Sequence, residues 1–76
     1  MSKLEAVEWT GSVAGALGAL LIALNLPISG YGFVIFLLSS TSWLVAGMAT
    51  GNRRLVLMNV AFTLVNLVGI YRWLLA

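Results

Sequence analysis

The sequence predicts an all-α membrane protein: three transmembrane helices in a short-loop bundle, forming one domain over residues 1 to 76. Three observations predict it. The chain is 62% hydrophobic and 8% charged, with a mean hydropathy of +1.09, whereas a soluble domain is about 25% charged because water must wet its outer face. Residues 9 to 52 carry no charged side chain, a stretch about twice the ~20 residues that cross a hydrocarbon layer. A second uncharged stretch from Leu55 to Tyr71, extended by its flanks to Leu75, is long enough at about 1.5 Å per residue for a third crossing. A soluble chain of this length would also struggle to bury a sufficient core without disulfides or metal, and this one has no cysteine or histidine.

The first helix is expected over about residues 8 to 26, beginning near Val7 to Trp9, with Glu5 and Glu8 in or before its positively polarised first turn. Asn25-Leu26-Pro27 then leads into Ile28-Ser29-Gly30-Tyr31-Gly32. Proline disfavours helical geometry in the residue before it, and two glycines permit a tight reversal. The second helix is expected over about 33 to 50, closed by Gly51-Asn52 in the manner of a glycine cap. The third is expected over about 54 to 75. Tyr71 and Trp73 at its end, and Trp9 and Tyr31 at the ends of the first helix, suit an interfacial aromatic belt. Ala14, Gly15 and Ala16 look like a cleavage site, but the apolar run before them is too short for a signal peptide, so the segment is read as part of the first helix. Connections this short place sequential helices antiparallel and in contact. The chain has no internal duplication, so any two-fold architecture requires a second copy.

Lys3, Arg53 and Arg54 fall on one side of the membrane and Arg72 on the other, which favours a cytoplasmic N-terminus. These four basic residues make no stripe that could track phosphates, so nucleic acid is not expected as a partner. No catalytic residue, metal ligand or cofactor is expected: there is no histidine or cysteine, both glutamates lie at the N-terminal edge, and no serine has a base beside it.

What remains is a small set of residues out of place in an apolar chain. Gly11, Ala14, Gly18 and Asn25 fall within one stripe of the first helix at ~100° per residue, and Gly11 with Gly15 makes a GxxxG pair. These glycines are expected to bring helix backbones together. The second helix carries Ser39, Ser40, Thr41 and Ser42 in succession, hydroxyls that can bond back to their own helix. Trp43 is mid-helix rather than interfacial, and its indole N–H wants a partner. Ser40, Trp43 and Gly47 share a face, which sets a large ring beside a glycine notch. Asn59, Thr63 and Asn66, at i, i+4 and i+7, make a polar seam that must face the bundle, a partner subunit or a wet cavity. The seam serves either as interhelical glue or as a solute site.

The stretch from Ser42 to Asn52, followed by Leu57 to Asn66, resembles the second and third helices of the semiSWEET sugar transporters and of the related PnuC-type vitamin-precursor transporters. The ending Asn66-Leu67-Val68-Gly69-Ile70-Tyr71-Arg72-Trp73 is similar to the PnuC side of that superfamily. The resemblance covers roughly residues 10 to 73. It implies a semiSWEET-like three-helix unit that pairs with a second copy around a central solute site. Trp43 would be the solute-stacking ring, Asn59 the solute-binding amide with Asn66 beside it, and Pro27 the residue that lets the first helix bend. It also implies a bacterial inner membrane and, as cargo, a small polar solute of sugar or nucleoside type. The rival expectation is an accessory subunit that uses its glycine stripe and asparagine seam to pack against a larger membrane protein complex.

Overall fold

The computed structural model describes residues 1 to 75. Its helices are α1 (Lys3–Ala23), α2 (Gly32–Thr50) and α3 (Arg53–Ile70), with a 3-10 turn at Ser29–Tyr31 and a wider π-helical turn at Tyr71–Leu75. With these end turns, all three are long and apolar enough to cross a membrane.

The ends of the helices follow from local chemistry. α1 begins at Lys3, earlier than the expected start at 7 to 9, because Ser2 and Glu5 form a capping box. Ser2 Oγ accepts from the Glu5 N–H at 3.0 Å and the Glu5 carboxylate accepts from the Ser2 N–H at 3.4 Å. Together they satisfy donors that the first turn leaves free. α1 stops at Ala23, short of the expected Leu26, as Asn25 turns into the left-handed region at φ 52°. Asparagine tolerates that conformation better than most residues. Pro27 lies beyond this stop, so it sits in the connection and does not bend α1. The buried Ser29 ties the reversal together: its Oγ donates to the Leu21 carbonyl at 2.6 Å and accepts from the Leu26 N–H at 2.7 Å.

α2 ends as expected at Gly51, whose φ of 70° only glycine adopts without strain. The Asn52 N–H closes the end on the Gly47 carbonyl at 2.9 Å. The same Asn52 then opens α3, its Oδ1 accepting from the Leu55 N–H at 3.2 Å. Two residues thus end one helix and start the next, which leaves α2 and α3 no choice but to pack side by side.

α2 is the middle element. It packs against both α1 and α3, while α1 and α3 do not pack on each other. The expected contact between sequential helices is present, but the bundle does not close. The molecule is a layer of 37 × 23 × 16 Å, its thinnest dimension little more than the ~10–12 Å diameter of one helix. Phe36 and Trp43 of α2 and Phe62 of α3 line the space left between the outer helices.

Burial runs opposite to that of a soluble domain. The buried apolar side chains are Ala14 and Ala46, and the buried polar ones are Ser29, Ser39, Ser40, Asn59 and Asn66. Large apolar side chains point outward, among them Leu57 at 72% exposure and Leu64 at 60%. Water would penalise that surface heavily, at ~25 cal/mol per Å² of apolar area, whereas lipid would not.

Candidate functional site

Between α1 and α3, floored by α2, lies a cleft of about 470 Å³, within the ~300–1,000 Å³ typical of small-ligand sites. α1 contributes Gly15. α2 contributes Phe33, Phe36, Ser39, Ser40 and Trp43, and α3 contributes Met58, Asn59, Phe62, Val65 and Asn66. The three residues expected to bind solute, Trp43, Asn59 and Asn66, are therefore brought to one cavity. No charged side chain lines it.

The α1 wall is positioned by its glycines. A Cβ added at Gly11 would stand 2.7 Å from Trp43 Nε1, one at Gly15 would stand 3.0 Å from Ser39 Oγ, and one at Gly18 would stand 3.0 Å from Phe36 Cδ1 and 3.1 Å from the Gly32 carbonyl oxygen. Their absent side chains are what let α1 approach α2. The Ser39 hydroxyl uses this closeness, donating to the Gly11 carbonyl at 2.6 Å. Gly47 works on the opposite interface, where a Cβ would stand 3.0 Å from Val56 Cγ2. The notch that receives Trp43 is thus Gly11 on the neighbouring helix, and not Gly47 on its own. Asn25 does not belong to the α1 stripe, because the helix ends before it.

The polar seam of α3 divides into two parts with different partners. Ser40 is the hub of the first. Its Oγ donates to the Leu37 carbonyl at 3.2 Å and accepts from Thr63 Oγ1 at 3.0 Å and from Asn66 Nδ2 at 3.3 Å. One donor and two lone pairs are all a serine hydroxyl has, so Ser40 is saturated. Thr63 and Asn66 are thereby interhelical glue between α3 and α2. Asn59 behaves otherwise. It is 3% exposed, and its Nδ2 donates to the Leu55 carbonyl of its own helix at 2.9 Å. That bond fixes which way the amide points. Asn59 lines the cleft, and its carbonyl oxygen has no protein donor among the described residues. The half-buried Trp43 lines the cleft as well, with its indole Nε1 edge turned to Gly11 of α1.

The aromatic share of the lining, Phe33, Phe36 and Phe62, was not singled out by sequence reasoning, nor was the role of Ser40. Phenylalanines in an apolar helix carry no signal of direction. Ser40 stands among four consecutive hydroxyls, three of which bond back along α2: Ser40 and Thr41 to Leu37, and Thr41 and Ser42 to Leu38. Only its position three residues before Trp43 and seven before Gly47 hinted at the inner face.

No protein-family model, curated protein or solved structure matches this chain.

Proposed function

We propose that the three helices span a bilayer, with the N-terminus and the Arg53-Arg54 connection on the cytoplasmic side, and that the chain is a semiSWEET/PnuC-like half-transporter. In this reading two copies pair so that their clefts enclose one path, and a small polar solute of sugar or nucleoside type crosses by rocking of the two units about the site. The observation that carries the reading is Asn59: a buried amide pinned to its own helix through Nδ2, its oxygen without a protein donor, in the lining of a cleft it shares with Trp43. An acceptor and an aromatic face suit a ring bearing hydroxyl or N–H donors. A bacterial inner membrane is the membrane type this reading implies.

Proteoliposomes test it. Uptake of radiolabelled glucose or uridine is expected with the unaltered chain, and Asn59→Leu abolishes it while the dimer persists in crosslinking. Uptake that survives Asn59→Leu would show that the cleft does not bind solute.

A second reading, an accessory subunit of a larger membrane complex, is supported by the Ser40 hub. Thr63 and Asn66 are consumed in holding α3 to α2, and apolar side chains on the outer faces are free to meet a partner. In that case Asn59→Leu loosens assembly instead, and the chain co-purifies with a larger complex in fixed ratio.

A further inference from the structure

A second concavity lies on the α2–α3 pair and shares no residue with the cleft. It is a groove of about 510 Å³ lined by Gly47, Met48 and Gly51 of the α2 end and by Arg53, Val56, Leu57 and Val60 of α3. α1 contributes nothing to it. We propose that this groove binds an acidic phospholipid, with one acyl chain lying along α3 and the phosphate held by Arg53. The proposal rests on the membrane-spanning reading above and is independent of transport.

The distribution of chemistry along the groove supports this occupant. Its floor is Gly47, against which Val56 packs so closely that a Cβ would stand 3.0 Å from Val56 Cγ2. Its walls, Met48, Leu57 and Val60, are exposed apolar side chains at 64%, 72% and 41%. Among the lining residues the one charge is Arg53, at the end where the helices meet the connection. From Arg53 to Val60 the groove follows α3 for about 10 Å, into the depth where acyl chains lie. A lipid needs this order of groups: a cation at the headgroup level and an unbroken apolar track beneath it. Neither Asp nor Glu occurs in the first turn of α3, so the exposed Arg53 guanidinium has no acid beside it in its own turn to compete with a phosphate. Basic pockets between helices at the cytoplasmic face are the usual seats of anionic headgroups. A protein helix laid in the same place would bury that guanidinium and would have to bring its own acid.

The test uses the full chain purified in a non-ionic detergent, with phosphatidylglycerol and phosphatidylcholine of matched chains as probes and adducts counted by native mass spectrometry. The unaltered chain is expected to retain phosphatidylglycerol at least tenfold over phosphatidylcholine. Arg53→Gln brings that preference to within twofold without weakening the phosphatidylcholine adduct. Val60→Phe fills the track and lowers both adducts. Arg72→Gln, at the other end of α3, changes neither, and helix content by circular dichroism is the same in all variants. The proposal is overturned by a phosphatidylglycerol preference that survives Arg53→Gln, by one lost equally in Arg72→Gln, or by absence of any preference in the unaltered chain. It is equally overturned if Val60→Phe changes the oligomeric state while lipid retention stays constant, since the groove is then a protein contact. A chain that is compact and soluble without detergent removes the membrane reading itself, which separates that failure from the others.

Discussion

Replacing Ser40 with alanine removes the one hydroxyl on which two residues of α3 converge. Thr63 Oγ1 and Asn66 Nδ2 both donate to it, at 3.0 and 3.3 Å. Interhelical hydrogen bonds in a bilayer contribute about 0.6 kcal/mol each on average and up to ~1.7, so the pair accounts for roughly 1–3 kcal/mol. Part of this is recovered. Thr63 can turn its hydroxyl to a carbonyl of the preceding helical turn, but Asn66 is 5% exposed, and its amide is left with an unpaired donor costing about 1–3 kcal/mol. The net loss expected for Ser40→Ala is about 2 kcal/mol, roughly a 30-fold shift of the folding equilibrium. Thr41→Ala is the matched control, because Thr41 bonds only to carbonyls of its own helix; its expected cost is under ~0.5 kcal/mol. Equilibrium unfolding in mixed micelles, followed by circular dichroism, measures both. A double-mutant cycle of Ser40→Ala with Asn66→Leu should return a coupling of about 1 kcal/mol. Equal costs for Ser40→Ala and Thr41→Ala, or a coupling near zero, would refute the hub.

Two further substitutions probe the glycines separately. Gly11→Leu forces a side chain into the Trp43 ring, since even a Cβ there stands 2.7 Å from Nε1; a loss of about 1–3 kcal/mol from overpacking is expected in the same unfolding assay, together with a shift of the Trp43 emission. Gly51→Ala meets no atom within 4 Å but inherits a φ of 70°, so it should cost about 1 kcal/mol through the backbone alone and leave Trp43 emission unchanged.

The legible parts of this molecule were those written within a single helix. The spacing of Gly11, Ala14 and Gly18 shows that they share a face, and all three are buried. Asn59, Thr63 and Asn66 could be turned inward from their polarity alone, and both asparagines are buried. Partners across helices were not legible. The i+4 relation of Trp43 to Gly47 names a neighbour on the same helix, while the ring in fact lies against Gly11, thirty-two positions earlier in the chain. Among four adjacent hydroxyls, periodicity alone cannot say that Ser40 takes Asn66 while Ser39 takes the Gly11 carbonyl, because every one of them can also bond to its own helix. Short connections determine that α1 touches α2 and α2 touches α3, and they leave the third contact open. Here that contact is unmade, and the gap it leaves is the cleft. The early start of α1 is legible in Ser2-x-x-Glu5, which is a capping pattern, whereas the hydrophobic run by itself begins only near Val7.

The most direct measurement is the sidedness of the chain in sealed vesicles, which the absence of native cysteine makes clean. Single cysteines are introduced as Lys3→Cys, Leu26→Cys, Leu64→Cys and Arg54→Cys and challenged with a membrane-impermeant maleimide. Lys3→Cys and Arg54→Cys are expected to react from one side and Leu26→Cys from the other. Leu64→Cys, on the outer face in the middle of α3, should react from neither. Labelling of Leu64→Cys from the aqueous phase, or of Lys3→Cys and Leu26→Cys from the same side, contradicts three spans.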